Sequence, residues 1–268
     1  MPQVINTNIA SLTSQRALNS SQNALQTALQ RLSTGLRVNS AKDDAAGIAV
    51  GARMDTQVRG MTVAIRNAGD AISLVQTADG ALSTVTDVLQ RMRELSVQAA
   101  NPVYGAGELA NLNTEYQALS GEITRIAATT SFNNVAVIAG GAATFAFQVG
   151  ANAAQTLSVT TAAVTTVAGD LLSTANANTA IGAIDTKLDA INTNRATYGA
   201  AMNQFEYAIQ NLNNARENQS AAKSRVMDAD FAMETAALTR AQILQQSGVA
   251  MLAQANAVPN NVLQLLRG

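Results

Sequence analysis

The chain has 268 residues, a formal net charge of −1, no Cys, no His and no Trp, and its 47% hydrophobic content includes only 3% aromatics. Without Cys or His there are no disulfides, no thiolate nucleophile, and neither the commonest general base nor the commonest metal ligand, so an enzyme, a metal site and a bound cofactor are not expected. Near-zero net charge gives no field for nucleic acid, and no apolar run approaches the roughly 18 residues of a membrane-crossing helix, so membrane insertion is not expected.

Scarce aromatics leave Ala, Leu, Ile, Val and Met to build the core, which suits thin helix–helix seams. The first segment, Val4 to about Leu36, carries Leu18, Leu25 and Leu32 at heptad spacing, each followed four residues on by Gln22, Leu29 and Leu36. Gly35 and Asn39-Ser40 interrupt this stripe, and residues 1–42 contain no Asp or Glu. Asp43 and Asp44 suit the free N–H groups opening a second helix, which runs to about Ala100 and stops at Asn101-Pro102. It carries two seams, one through Val58, Met61, Ile65, Ala68, Ile72 and Val75, the other through Leu74, Ala78, Val85, Met92 and Leu95. Two seams on one helix mean two neighbours, hence a bundle.

A third helix spans about Gly107 to Ala128, with Leu109, Leu112, Tyr116, Leu119, Ile123 and Ile126 on one face. The period then changes, and a β-hairpin region is expected at about 132–161. Its strands are Ala146–Gly150 and Leu157–Thr161, joined at Ala151-Asn152-Ala153. Residues 162–178, rich in Thr, Ala and Asn, read as loop or weak strand. The last long element keeps spacings of three and four from Ile181 to Met233, with Asp79 and Arg195 as polar seam positions on their helices. The stripe re-forms through Leu244, Gly248, Met251, Ala255, Val258, Val262 and Leu265, and no acid occurs after Glu234. Met54, Met61, Met92, Met202, Met233 and Met251 fall largely on seams and read as core fillers.

The fold expected is mainly α, a long antiparallel helical bundle or coiled coil with a small β-hairpin region, in which the N- and C-terminal helices pair. Three segments are expected: 1–42 and 233–268 as the two halves of an inner coiled coil, and 43–232 as the bundle with its hairpin. A thin seam at about 25 cal/mol per Å² barely offsets roughly 1–2 kcal/mol of backbone entropy per residue, so 1–42 and 235–268 are expected to be mobile alone and to order among copies of themselves. A helical hairpin tail that folds by itself is the alternative. Ser220 and Lys223 match the Ser-x-x-Lys pattern of penicillin-binding enzymes but lack its partner motifs. The acid pairs Asp43-Asp44 and Asp228/Asp230 are explained more simply by capping and ion pairing than by metal or acid–base work.

Both ends resemble bacterial flagellin. The residues that carry the resemblance are "INTNIASL" from Ile5, "LQRLSTGLRVNSAKDDAAGIAV" from Leu29, "SRVMDADFAMETAALTRAQILQQSGVAMLAQAN" from Ser224, and "VPNNVLQLLR" to Arg267. The resemblance implies a structural subunit that polymerises into the flagellar filament for motility. Its terminal helices would form the inner tube, with a polymerisation core of Leu18, Leu25, Leu29, Leu32, Leu244, Met251, Val258, Val262 and Leu265. It further implies export through the flagellar type III channel without a cleaved signal, an extracellular location in the filament, an export chaperone on the C-terminal helix, and filament cap and hook-junction proteins as neighbours. Larger members insert outer domains after the hairpin; residues 162–178 are too few for one, so this resembles a short form. A hook–filament junction protein is the alternative within the same family. "QRMRELSVQ" matches the motif of members sensed by the flagellin-detecting Toll-like receptor. The resemblance places Gln90, Arg91, Glu94, Leu95, Gln98 and Glu115 in a receptor-binding or protofilament-contact patch, with Arg91 and Leu95 on one helix face.

Overall fold

The structure is a computed structural model that describes residues 7–139 and 141–265, with side chains through Ala257. Among the described residues it contains five helices, α1 (Ile9–Thr34), α2 (Ala41–Ala99), α3 (Ala106–Thr129), α4 (Thr174–Met227) and α5 (Phe231–Leu265). Two small antiparallel pairs lie between α3 and α4: β1 (Ser131–Phe132) with β2 (Val135–Ala136), and β3 (Thr144–Gln148) with β4 (Thr156–Thr160). The fold is mainly helical, and the N- and C-terminal helices pair, as the periodicity predicts. Two compact units divide inside α2 and α4: one takes the chain up to Thr56 and from Asn218, the other spans Gln57–Glu217. The segment ends expected at 42 and 232 lie near breaks in the helices.

In the terminal unit, α1 and α5 run antiparallel. Asn8 caps α1 by accepting the Ser11 amide at 3.0 Å, and Gly35 ends it in the left-handed region (φ 71°), donating its N–H to Arg31 O. The facing rows repeat by heptads: Ser11, Leu18, Ser21, Leu25, Ala28 and Leu32 on α1, and Leu238, Ala241, Gln245, Gly248, Leu252 and Ala255 on α5 are buried or half-buried. Leu18 packs over Gly248, where a Cβ would sit 3.4 Å from the leucine methyl. Such small side chains bring the backbones close but bury little area, and polar contacts fix the register at both ends. Asn8 Nδ2 donates to Ala255 O (2.8 Å) and Ser11 Oγ to Asn256 Oδ1 (2.8 Å); at the other end Arg31 Nη1 pairs with Glu234 Oε1 at 3.0 Å.

The breaks after α1 and before α5 pair with each other. Leu36 and Asp228 form an isolated antiparallel bridge, Arg37 N donates to Met227 O (2.7 Å), and Ala229 N donates to Gly35 O (2.9 Å). Three acids near these breaks serve the backbone. Asp43 Oδ2 accepts from Ser40 N and Oγ, both at 2.9 Å, which hold its carboxyl below the usual carboxylate range. Asp44, in extended conformation (φ −165°), caps α2 by accepting Gly47 N at 2.8 Å, and Gly47 leaves the room that its carboxylate needs. Asp230 accepts the Ala232 amide at 2.8 Å and so caps α5. The stripe expected to run unbroken from Ile181 to Met233 is therefore carried by two helices, because Asp228–Asp230 leave the helix to make the bridge and the cap.

The second unit has a continuous core of α2, α3 and α4 side chains centred on Val75, Leu82, Met92, Tyr116, Ile184, Tyr198 and Phe205. The seam polar pair forms an ion pair, Arg195 Nε to Asp79 Oδ1 at 2.8 Å. Phe147 of β3 meets Phe205 of α4 edge-on with ring centroids 5.7 Å apart, which docks the hairpin on the bundle. Gly60 on α2 lets the hairpin turn come close, since a Cβ there would lie 2.9 Å from that of Ala151. The strands sit slightly earlier in the chain than expected, with Thr144 opposite Thr160 and Gln148 opposite Thr156. The β1–β2 pair was not anticipated; Asn133 and Asn134, at φ 49° and 62°, make its two-residue turn, which needs positive φ at both positions.

Residues 161–173 are not a spare loop. They form a strap laid into the core, with Ala162, Val164, Val167 and Leu171 buried, and α4 begins already at Thr174. The strap's polar groups are matched: Ala162 N donates to Tyr198 OH (2.6 Å), Leu171 N to Asn113 Oδ1 (2.9 Å), and Gln117 Nε2 to Gly169 O (2.8 Å). Burial is the first cause that pushes the Tyr198 hydroxyl upward, against the lowering effect of the Ala162 amide that it accepts. The strap carries fold stability accordingly: Leu171→Ala is expected to destabilise the 57–217 unit by about 2–5 kcal/mol, measured by urea unfolding, whereas the exposed Leu172→Ala should change it by less than about 0.5 kcal/mol.

Candidate assembly and recognition surfaces

Two surfaces correspond to the residues singled out by sequence. The first is the outer face of the α1–α5 pair. Leu18, Leu25 and Leu32 turn inward and are half-buried in the seam, while Leu29 (49% exposed), Leu244 (53%) and Met251 (63%) face solvent. The stripe read as one seam is thus split. The inner row of α5 is Ala241, Gly248 and Ala255, and Leu244 and Met251 stand on the flank. The side chains of Val258, Val262 and Leu265 lie outside the described residues.

Ile9 and Leu12 on α1, and Phe231, Ile243 and Val249 on α5, are exposed as well. Sequence reasoning missed these, although most lie one heptad position away from the residues it chose. A groove of about 540 Å³ runs between the two helices, with Leu244, Gly248 and Met251 on one wall and Ser14, Ala17 and Ser21 on the other. Exposed apolar area on this scale marks a contact surface rather than a finished exterior. Glu234 is the only acid from the start of α5 onward, and its partner Arg31 neutralises it. Lys223, the one chemically suggestive member of the Ser-x-x-Lys match, is bound to Asp55 Oδ1 at 2.5 Å.

The second surface is on the 57–217 unit. Gln90, Arg91, Glu94 and Gln98 lie exposed on α2, and Glu115 lies exposed on α3. Arg91 bridges the two helices, donating from Nε to Glu115 Oε1 at 2.9 Å and from Nη1 to Glu94 Oε2 at 3.0 Å. The Glu115 bond first, then the Glu94 bond, raise the guanidinium above its ordinary value, so the cation is both permanent and oriented. Leu95 does not share this face. It is 1% exposed and belongs to the core, one helical turn below Arg91 but rotated inward. The apolar member of the exposed surface is Val97, which lines a shallow depression with Gln90, Arg93, Glu94 and Gln98. Arg93 is held in turn by Asp185 of α4 at 2.7 Å.

Comparison with known proteins fits this architecture. The family model described as the bacterial flagellin N-terminal helical region matches residues 5–143, and that of the C-terminal helical region matches residues 181–266. A flagellin of Halalkalibacterium halodurans is 45% identical over 98% of this chain and 100% of its own length. The flagellar filament 33 kDa core protein of Treponema phagedenis is 39% identical, with 98% and 100% covered. Flagellin D of Vibrio cholerae, 32% identical, takes 372 aligned positions to span 98% of this chain, so it carries extra residues that this short chain lacks. The crystal structure of Bacillus cereus flagellin is 33% identical over 55% of this chain and 88% of that one, with a TM-score of 0.49. Two family models that together match well over half of the chain, and relatives aligned with it along nearly their whole length, show that the chain belongs to the bacterial flagellin family.

Proposed function

We propose that the chain is the repeating structural subunit of a flagellar filament and that copies join through the outer faces of α1 and α5. Family membership supports a structural role. The single observation that carries the mode of joining is the exposure of Leu29, Leu244 and Met251 on a helix pair whose fully buried seam positions are small residues. One pair leaves these side chains in water; packing among neighbouring copies would cover them and add the apolar area that the seam lacks. The near absence of acids on both helices favours this, because an unpaired carboxylate taken into such a core is costly. In this reading the helix pairs form the filament's inner tube, and the export chaperone holds α5 before assembly. The subunit leaves the cell unfolded through the type III channel and meets the cap and hook-junction proteins at the filament ends.

A second reading concerns the Arg91 surface. Gln90, Arg91, Glu94, Gln98 and Glu115 form an exposed polar patch with an oriented cation at its centre, the composition of a recognition hot spot, and we propose it as the contact for the flagellin-sensing Toll-like receptor. Leu95 supports that patch from the core and is not itself a contact. The same surface serves equally as a contact between protofilaments.

Deleting residues 1–30 or 240–268 is expected to abolish seeded polymerisation in high salt, followed by light scattering and electron microscopy, while the 57–217 unit keeps its cooperative unfolding. Filaments from either truncated protein would contradict the assembly surface. Arg91→Asp is expected to weaken receptor signalling by roughly tenfold or more, about 1.4 kcal/mol, because it places three carboxylates together where one cation stood. An unchanged response in a reporter-cell assay would remove the patch from receptor recognition.

A further inference from the structure

With no Cys, His or Trp in the chain, thioethers are its softest side chains toward two-electron oxidants. The methionines are not equivalent. Met61 and Met92 are buried, and Met54, Met202 and Met227 are half-buried. Met233 and Met251 stand 71% and 63% exposed, both on α5. Reading all six seam methionines as core fillers is therefore corrected at these two positions. Met251 forms part of the wall of the α1–α5 groove beside Leu244 and Gly248. Met233 sits in the first turn of α5, its amide reaching the capping Asp230 Oδ1 at 3.3 Å.

We propose that Met233 and Met251 are modification sites at which a peroxide-class oxidant controls assembly. The inference rests on the filament reading above. Hydrogen peroxide delivers one oxygen atom to the thioether sulfur: the O–O bond breaks, an S=O bond forms and water leaves, with sulfur oxidised by two electrons and the peroxide reduced by two. The product replaces a flexible apolar side chain with a polar acceptor. Met251 lies beside Leu244 and Gly248 in a groove that also holds Ser14, Ser21 and Ser247, and Met233 lies two residues from the exposed Phe231; covering either sulfoxide with a second copy replaces apolar contact by a polar group that must give up its water. The effect is one-directional. Free subunits expose both sulfurs, while assembled subunits cover them, so oxidant blocks addition of new subunits without dissolving finished filament. Reduction of the sulfoxide by a methionine sulfoxide reductase restores the apolar face.

The test uses the full chain. Monomer and filament from one preparation are treated with graded hydrogen peroxide, and peptide mass spectrometry follows each methionine. Met233 and Met251 are expected to oxidise before Met54, Met202 and Met227 in the monomer and to be protected severalfold in the filament. Oxidised monomer is expected to lose seeded elongation and to regain it after treatment with the reductase, and Met233→Leu/Met251→Leu is expected to elongate equally before and after peroxide. Oxidation of the half-buried methionines at the same rate, or elongation by fully oxidised monomer at the untreated rate, overturns the proposal. If the double variant does not polymerise, recovery of the native chain by the reductase decides the question alone. Untreated monomer that never elongates overturns the filament reading and this proposal with it, whereas untreated elongation that survives oxidation overturns this proposal only.

Discussion

The α1–α5 seam is the constraint from which the rest follows. Its inner row holds Ser11, Ser21, Ala28, Ala241, Gly248 and Ala255, side chains small enough for two helices to lie close but too small to bury much area. Register therefore depends on polar contacts at the two ends, the Asn8–Ala255 and Ser11–Asn256 bonds at one and the Arg31–Glu234 pair at the other. Leu18, Leu25, Leu32, Leu238 and Leu252 are only half-buried in the seam, and Leu29, Leu244 and Met251 stand on the outside, where one protomer leaves them in solvent. A helix pair with this division of labour is a component of something larger.

The 57–217 unit follows a different rule. Its interior is closed by fully buried Tyr116, Tyr198, Phe205 and Leu82, and its connections are part of that interior. The strap 161–173 supplies Val167 and Leu171 to the core and hands its amides to Asn113 and Tyr198. This unit folds around its own core, while the terminal helices keep an unsatisfied face; the two behaviours suit a subunit whose body is fixed and whose ends complete themselves on assembly.

Much of this was legible in the residues. The heptads of Leu18, Leu25 and Leu32, the twin seams of α2, the Leu109–Ile126 stripe and the stop at Asn101-Pro102 all identify helices with nearly correct ends, because hydrophobic period and chain breakers act locally. What spacing could not settle was which of two adjacent rows faces the partner. Leu29, Leu244 and Met251 belong to a row as regular as the inner one, and only the partner's position turns them outward. Leu95 shows the same ambiguity from the other side: it lies one turn from Arg91, yet the core on two flanks of α2 draws it inward. The strap was misread because Thr, Ala and Asn look like linker composition, and its alternating burial depends on tertiary contacts. The Asn133-Asn134 turn carried a readable signal in its two consecutive asparagines.

The central claim is that the outward row of the terminal helices is the surface that joins copies. A filament reconstruction by electron microscopy at side-chain resolution tests it most directly. The account predicts α1 and α5 in the innermost shell, with Leu29, Leu244 and Met251 buried between neighbouring subunits and Leu18 still packed over Gly248 within each one. Filaments in which those three side chains face water or an open channel, with subunits held together only through the 57–217 unit, would contradict it.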